Sequence, residues 1–171
     1  MQGDFMEKAK ILILMGSESD LPAVEEAITF LKEMGISFKL DVSSAHRNPE
    51  KTATYAKNAQ KDGFEVIIAV AGMAAHLPGV IASHTTLPVI GVPTGSGSLN
   101  GIDALLSIVS MPKGIPVATV GINAAKNAAI LACEILSIKH DGIREKLIEM
   151  KEDLKKQNDE GSLKINQYLQ D

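Results

Sequence analysis

Nearly continuous apolar runs alternate with amphipathic segments along this chain. Residues 10–15 and 66–71 are apolar almost throughout, as strands buried on both faces of a parallel sheet are. Between such runs apolar residues recur at helical spacing, for example from Leu21 to Leu31, before a stop at Gly35. The pattern predicts strands at 10–15, 37–42, 66–71, 88–92 and 117–120, and helices at 21–34, 49–62, 102–110, 123–137 and after 142, with a short helix ending near 84.

The second predicted strand differs from its neighbours. Residues 37–42 alternate polar and apolar, which is typical of a half-exposed strand at a sheet edge. Five strands alternating with helices predict an α/β domain with three layers, αβα, around a parallel sheet. An edge-like second strand beside buried first and third strands fits the flavodoxin-like order 2-1-3-4-5. Ligands are then expected where the carboxyl ends of strands one, two and three lie side by side.

The segment after Gly142 is predicted to be a helical tail. From Ile143 to Leu154, apolar residues follow at i, i+4, i+7 and i+11, so this helix carries a narrow apolar stripe. We therefore divide the chain into an α/β catalytic domain, residues 1–142, and a C-terminal helical tail, residues 143–171. Such a stripe either packs back or docks on another subunit, and we favour the neighbouring subunit.

Polar residues cluster in the loops after the first three strands. Residues 43–50 combine hydroxyls, an imidazole and a guanidinium with a helix start, since Asn48, Pro49 and Glu50 are typical of an N-cap, a first-turn proline and a first-turn acid. Side chains there face a helix N-terminus, where anions bind. The residues expected to converge are Ser17, Ser19 and Asp20 from the first loop, Ser44, His46 and Arg47 from the second, and Gly72 to His76 from the third.

His46 and His76 come from two of these loops. Imidazole suits proton transfer because its pKa lies nearest neutral pH. Either histidine alone would more simply be structural, as we interpret His84 and His140. Their convergence with Arg47 and Asp20 favours a site with acid–base chemistry.

The remaining polar residues suit an anion and a sugar. Arg47 with Ser17 and Ser44 can hold a phosphate, and Asp20 can accept hydrogen bonds from sugar hydroxyls. Helix capping explains Ser17 and Asp20 equally well, and capping is compatible with binding.

The third loop is rich in small residues. Gly72, Ala74 and Ala75 would let a planar group or a carboxylate approach the backbone, or they simply form a tight strand-to-helix turn. Residues 64–112 contain no Lys or Arg. An anion held here must therefore rely on Arg47, backbone N–H groups and hydroxyls.

Composition narrows the classes of function. The net charge of −4, with two arginines and no basic block, argues against nucleic acid as a partner. No apolar run approaches the ~20 residues that span a bilayer, and residues 1–10 are too polar and acidic for a secretory signal, so we expect a cytoplasmic protein without a membrane partner. The one cysteine, Cys133, is expected to be a small buried residue.

Three kinds of site are disfavoured. No spacing of His, Cys, Asp or Glu suits a metal. No Gly-x-Ser-x-Gly elbow follows a strand, which argues against a serine hydrolase. The loops carry no aromatic ring to stack on a flavin.

Five blocks of this sequence resemble, in order, the signature blocks of the PurE family. They are Met15-Gly16-Ser17-Glu18-Ser19-Asp20, Ser44-Ala45-His46-Arg47-Asn48-Pro49, Ala74-Ala75-His76-Leu77-Pro78-Gly79, Leu87-Pro88-Val89-Ile90-Gly91-Val92-Pro93 and Met111-Pro112-Lys113-Gly114-Ile115-Pro116-Val117. The resemblance runs from about residue 11 to residue 136 and is highly specific. It implies the mutase of purine (IMP) biosynthesis that converts N5-carboxyaminoimidazole ribonucleotide to 4-carboxyaminoimidazole ribonucleotide without ATP, metal or organic cofactor.

The resemblance also implies roles for single residues. His46 matches the catalytic histidine, which would shuttle a proton while carbon dioxide is released and recaptured in a closed pocket. Ser17, Ser44 and Arg47 match the residues that hold the phosphate, and Asp20 matches the one at the ribose. The loop around the base and the carbon dioxide is matched by Ala74, Ala75, His76 and Leu77.

Family members are octamers whose C-terminal helix reaches onto a neighbour, which implies a homo-octamer here. The sequence departs from the family pattern at three positions. Met73 replaces a glycine beside the carboxyl pocket, Asn48 replaces a threonine with the same capping ability, and Leu21 stands where tryptophan is common.

Two alternatives remain open. The family's other branch carboxylates aminoimidazole ribonucleotide with free carbon dioxide. It typically has lysine after the motif histidine and Ser-Asn in place of Ala-Ala-His, so Arg47 and residues 74–76 favour the mutase. From a different class, a non-catalytic flavodoxin-like nucleotide-binding module would want an aromatic stacker or an aspartate ending strand three, and the chain has neither there.

Overall fold

A parallel sheet of five strands forms the framework of the fold. The computed structural model describes residues 10–169. The strands are β1 (Ile11–Met15), β2 (Phe38–Val42), β3 (Val66–Ala71), β4 (Val89–Pro93) and β5 (Ala118–Thr119); the helices are α1 (Leu21–Glu33), α2 (Pro49–Asn58), α3 (Leu77–Ala82), α4 (Ile102–Val109), α5 (Ala125–Leu136) and α6 (Asp141–Tyr168). The strand order is β2-β1-β3-β4-β5 with every pairing parallel, which confirms the predicted α/β fold and its order.

The central strands are buried on both faces. Every residue of β1, β3 and β4 is buried, whereas β2 at the sheet edge is only half-buried, as its alternating pattern predicted. On one face, Leu12, Leu14 and Ile67 pack in one cluster with buried residues of α2, α3 and α4. Their neighbours in sequence, such as Ile13 and Ile68, point to the opposite face and are buried as well.

Several elements are shorter than their sequence pattern predicted, α5 among them at Ala125–Leu136 rather than 123–137, and β5 and α2 show the causes. β5 covers Ala118–Thr119 rather than 117–120, and Pro116, two residues before it, has no N–H to contribute to a ladder. α2 ends at Asn58 instead of continuing to 62, because the chain leaves the helix in a turn that Gly63 closes with φ of 99°. Both differences concern ends of elements, not their order.

The chain divides into two compact units, and the division falls after Ala132, inside α5. The sheet belongs to the first unit. In the second, α6 has Ile143 and Leu147 buried, whereas Leu154 is 54% exposed and the residues after it are exposed. The catalytic domain and tail predicted from the sequence, and the docking of that tail, stay predictions.

Three further expectations concern burial and location. Cys133 is buried, as predicted, and burial raises the pKa of its thiol to about 12. Among the helices of residues 10–169, none combines the length and the apolar character that a bilayer crossing requires. The expectation of no secretory signal concerns residues 1–10, of which residues 1–9 lie outside the described part of the chain. The cytoplasmic location therefore stays a prediction.

Candidate active site

A cavity of about 830 Å³ opens at the carboxyl ends of the strands. Loops after β1, β2, β3, β4 and β5 contribute to it, because parallel strands bring their carboxyl ends to one edge of the sheet. All ten site residues selected from the sequence line this cavity, namely Ser17, Asp20, Ser44, His46, Arg47, Gly72, Ala74, Ala75, His76 and Leu77. The predicted convergence of three loops is therefore present, while the role of each residue is a separate question.

The loop after β1 is shaped by its own side chains. Ser17 caps a single 3-10 turn, Glu18–Asp20, and its hydroxyl accepts from the backbone N–H of Ser19 at 3.3 Å. Asp20 Oδ2 accepts from the backbone N–H of Ser17 at 3.0 Å, which completes a capping box. Capping by Ser17 and Asp20, one of the two predicted explanations, is thus observed. It leaves both side chains at the cavity.

Asp20 also links this loop to the loop after β4. Its Oδ1 accepts from the hydroxyl of Thr94 at 3.4 Å. Burial raises the pKa of the Asp20 carboxyl above its ordinary value, and the Ser17 N–H, the Thr94 hydroxyl and the positive charge of Arg47 oppose that rise. The carboxylate is therefore held by several donors in a partly desolvated position.

The loop after β2 begins the helix that the sequence predicted. Asn48 is the N-cap of α2, its Oδ1 accepts from the backbone N–H of Lys51 at 3.0 Å, and Pro49 occupies the first helical position. The Arg47 guanidinium donates through Nη2 to the carbonyl of Gly16 at 3.1 Å and through Nε to the hydroxyl of Ser44 at 3.4 Å. These bonds join the first two loops. The guanidinium has five N–H donors, so it retains donors for an anion.

Ser43 fixes the base of the same loop. It is buried, its backbone N–H donates to the carbonyl of Met15 at 2.8 Å, and its hydroxyl lies 2.8 Å from that of Thr52 in α2. The Thr52 hydroxyl also donates to the carbonyl of Asn48 at 3.3 Å. The loop is thus held at both ends, by the strand and by the helix.

A second set of contacts ties α2 to β2 behind this loop. The Tyr55 hydroxyl donates to the Asp41 carboxylate, and Lys51 Nζ donates to the carbonyl of Val42 at 2.6 Å. The hydrogen bond from Tyr55 lowers the pKa of the Asp41 carboxyl, while burial and this carboxylate raise the pKa of Tyr55 to about 12. At neutral pH a phenol therefore donates to a carboxylate, which strengthens the support of the loop that carries His46.

His46 and His76 meet across the cavity. Nε2 of His46 is hydrogen-bonded to Nδ1 of His76, and the ring centroids are 4.6 Å apart with the planes at 69°. One nitrogen of such a bond must carry a proton and the other must accept it, so the bond fixes the tautomers of the two rings relative to each other. The structure therefore places a hydrogen-bonded pair of exposed imidazoles in the lining of the cavity.

The loop after β3 is a tight turn with an unusual backbone. The N–H of Ala75 donates to the carbonyl of Gly72 at 3.1 Å, and Met73 and Ala75 both have positive φ, 53° and 20°. A side chain on Gly72 would collide with the hydroxyls of Thr94 and Ser96. Gly72 therefore makes room for the neighbouring loop, whereas the sequence had suggested that it makes room for a ligand.

Two further loops, which were not among the predicted site loops, also line the cavity. They contribute Thr94, Gly95 and Ser96 after β4 and Asn123 after β5. Asn123 has φ of 58°, and its Oδ1 accepts from the N–H of Gly95 at 2.8 Å. The predicted strand order contained a signal for them, because β4 lies beside β3 and its carboxyl end reaches the same edge.

The charges at the cavity are few. Of the residues that line it, Arg47 is the one Lys or Arg, and Asp20 and Glu26 are the acids. Within residues 10–169, no group of three His, Cys, Asp or Glu side chains is arranged to hold a metal ion. The arrangement can hold an anion at Arg47 and move a proton at the histidine pair.

The model of the family "AIR carboxylase" matches residues 10–157 of this chain. The chain belongs to the AIR carboxylase family. The match begins one residue before β1 and continues into α6, so it contains every residue that lines the cavity. The family relationship therefore applies to the whole site.

Relatives within this family are similar over nearly their full length. The N5-carboxyaminoimidazole ribonucleotide mutase of Pyrococcus horikoshii is 55% identical over 94% of this chain and 91% of its own. The mutase of the same name from Thermotoga maritima is 53% identical over 92% of both chains. The crystal structure of Treponema denticola PurE matches with a TM-score of 0.82 and 31% identity, covering 90% of this chain and 96% of that one. The resemblance to PurE predicted from five sequence blocks is confirmed.

Proposed function

We propose that this chain converts N5-carboxyaminoimidazole ribonucleotide to 4-carboxyaminoimidazole ribonucleotide in purine biosynthesis. The observation that carries the proposal is the His46–His76 pair in the same cavity as Arg47. This reaction needs no cofactor, but it requires a group that carries a proton and a site that binds the phosphate anion. The names of the relatives from Pyrococcus horikoshii and Thermotoga maritima supply the substrate.

The reaction moves a carboxyl group and a proton in opposite directions. The bond between the exocyclic nitrogen and the carboxyl carbon breaks, and a new bond forms between that carbon and C4 of the imidazole. The proton leaves C4 and ends on the nitrogen, so no atom or electron is gained or lost. His46 is the group that carries this proton, and His76 holds the imidazole of His46 in the tautomer that the transfer requires.

Binding is divided between the first two loops. The phosphate is held by Arg47 with the hydroxyls of Ser17 and Ser44, since the guanidinium already lies beside Ser44. Asp20 accepts from the ribose hydroxyls, and the turn of Ala74, Ala75 and His76 faces the base. With Gly72 and Leu77 completing the third loop, this assignment covers all the site residues selected from the sequence. No organic cofactor or metal takes part in it.

The second candidate is carboxylation of aminoimidazole ribonucleotide by free carbon dioxide, which the name of the family model itself suggests. Both reactions make the same product at the same carbon. They differ in the donor of the carboxyl group. Arg47 after the motif histidine, and Ala74 and Ala75 before His76, favour the mutase.

An assay with the two substrates separates these functions. We expect the purified protein to form 4-carboxyaminoimidazole ribonucleotide from the N5-carboxylated compound in buffer depleted of bicarbonate, at least about 100 times faster than the blank without protein. Aminoimidazole ribonucleotide with bicarbonate should give far slower turnover. Turnover of aminoimidazole ribonucleotide with bicarbonate, and none of the N5-carboxylated compound, would reverse the assignment.

We also propose that the chain is a homo-oligomer, and an octamer in particular. Leu99, Ile102, Leu106 and Val109, in and just before α4, are each more than half exposed, so α4 presents an apolar outer face that a second copy can bury. Light scattering should give eight times the monomer mass of 18.2 kDa, and Leu106→Asp should give a smaller species. A monomeric wild-type protein at micromolar concentration would contradict the proposal.

A further inference from the structure

The hydroxyl of Ser17 accepts two hydrogen bonds, and both come from Ser19. The backbone N–H of Ser19 donates to it at 3.3 Å, and the Ser19 hydroxyl donates to it at 2.9 Å. A serine hydroxyl has two lone pairs and one hydrogen. Because both lone pairs are occupied, the Ser17 hydroxyl can form a further hydrogen bond only as a donor.

The hydroxyl of Ser44 is in the same state. It accepts from the backbone N–H of Arg47 at 3.2 Å and from Nε of the Arg47 guanidinium at 3.4 Å. Neither of these nitrogens can accept, so Ser44 is the acceptor in both bonds. Within residues 10–169, neither Ser17 nor Ser44 donates its hydroxyl hydrogen to another residue. Both hydrogens are therefore available to a ligand.

The guanidinium of Arg47 lies between these two serines. Its Nη2 donates to the carbonyl of Gly16, the residue before Ser17, and its Nε donates to Ser44. All three side chains line the cavity, and the two serines are half-buried. Arginine has five N–H donors and no acceptor. Ser17, Ser44 and Arg47, together called the phosphate subsite, thus offer hydrogens and no free lone pair.

We propose that the phosphate subsite selects the fully deprotonated phosphate, the dianion, and that Ser19 is the positioning residue responsible. The inference rests on the proposed function, which assigns the phosphate of the substrate to these three side chains. Every oxygen of the dianion can accept a hydrogen bond. The monoanion carries a P–O–H hydrogen that needs an acceptor, and the subsite offers none, so this donor is left without a partner.

Ser19 acts on the anion through Ser17. The Ser19 hydroxyl is exposed and occupies one of the two lone pairs of Ser17. Ser19→Ala removes this bond but keeps the backbone N–H that donates to Ser17, so the turn retains its cap. Ser17 then regains one position that can accept from a P–O–H group. The variant should therefore bind the monoanion better relative to the dianion.

Inorganic sulfate and inorganic phosphate are the probes, because sulfate stays a dianion over the pH range in which phosphate takes up a proton. Each is titrated as a competitive inhibitor of the N5-carboxylated substrate at pH 8 and at pH 6. For the wild type, the inhibition constant of total phosphate divided by that of sulfate should rise about tenfold from pH 8 to pH 6, as the phosphate dianion is lost.

The ratio removes the effect of other charges at the cavity, because they act on both dianions. The titratable and charged side chains of the lining are Asp20, Glu26, His46, His76 and Arg47. Arg47 stays protonated throughout the range. A change in the ratio with pH therefore reports the protonation of phosphate itself.

Four variants test the part played by Ser19. Ser19→Ala should reduce the tenfold rise to about threefold, because one hydrogen bond of a cooperative chain is lost. Ser19→Thr keeps the hydroxyl and should restore the wild-type rise. In the Ser17→Ala background, Ser19→Ala should have no further effect, since the hydroxyl on which it acts is gone. Ser83→Ala is the matched control, because Ser83 is exposed, donates to the carbonyl of Val80 and lies outside the cavity lining.

Equal inhibition by total phosphate at pH 6 and pH 8 would overturn selection of the dianion. A wild-type rise in Ser19→Ala would overturn the role of Ser19. A further effect of Ser19→Ala in the Ser17→Ala background would do so too, because Ser19 would then contact the anion itself. Failure of the proposed function is distinct. A protein that forms no 4-carboxylated product can still be titrated with both anions by calorimetry, which gives the same ratio.

Discussion

His46→Asn is expected to lower kcat by at least about 100-fold while KM changes by no more than about threefold. Asparagine keeps a polar group of similar size in the loop but cannot take up a proton at neutral pH. It also breaks the bond to His76, so the remaining imidazole has lost its partner. Steady-state kinetics with the N5-carboxylated substrate, read at the absorbance of the product, measures both constants.

His84→Asn is the matched control for this variant. His84 is exposed, lies after α3 and does not line the cavity, so the same substitution there should leave both constants within about twofold, as surface changes usually do. Retention of more than about a tenth of wild-type kcat in His46→Asn would remove His46 as the principal proton carrier.

Arg47→Ala is expected to act on binding rather than on chemistry. A hydrogen bond to a charged group contributes about 1.5–3 kcal/mol, so loss of the guanidinium should raise KM by about 10- to 100-fold. The change in kcat should be smaller, because the phosphate is remote from the carbon that receives the carboxyl group. The measurement is a full saturation curve, since a single substrate concentration would confuse the two effects.

The chain contains one other arginine, which provides the control. Arg144 donates to the carbonyl of Ser137, pairs with Asp141 and is not among the residues that line the cavity, so Arg144→Ala should leave KM unchanged. The substrate nucleoside, which lacks the phosphate, provides a second test. It should bind wild type and Arg47→Ala equally weakly, and a large difference between them would mean that Arg47 acts elsewhere than on phosphate.

Most of the fold could be predicted from local sequence patterns. The apolar runs of β1 and β3 and the alternation of β2 report burial directly, and burial decides which strands are central and which lies at the edge. Asn48 and Pro49 predicted the start of α2 to the residue, since capping depends on neighbours in sequence. The length of β5 was less predictable because an edge strand of two residues leaves little pattern.

Features of the site that depend on strand order were predictable from the sequence. Contacts between residues far apart in the sequence were not. Convergence of the first three loops followed from the order 2-1-3, and all ten selected residues line one cavity. Asp20 and Thr94 are 74 residues apart, so no local signal joins them. The same applies to Gly72, whose missing side chain accommodates hydroxyls of the loop after β4. The left-handed backbone at Met73 was equally hidden, because methionine does not favour it.

The anchoring of Ser43 bears on the entropy of binding. Its bonds to Met15 and Thr52 leave only the short stretch from Ser44 to Arg47 free to vary, and the N–H of Asn48 donates to the carbonyl of Ser44 within it. Fixing the backbone of one residue costs about 1–2 kcal/mol in conformational entropy. Here this entropy cost is met when the chain folds, so it does not reduce the free energy gained from contacts with the ligand. A ligand would therefore meet a loop that is already ordered.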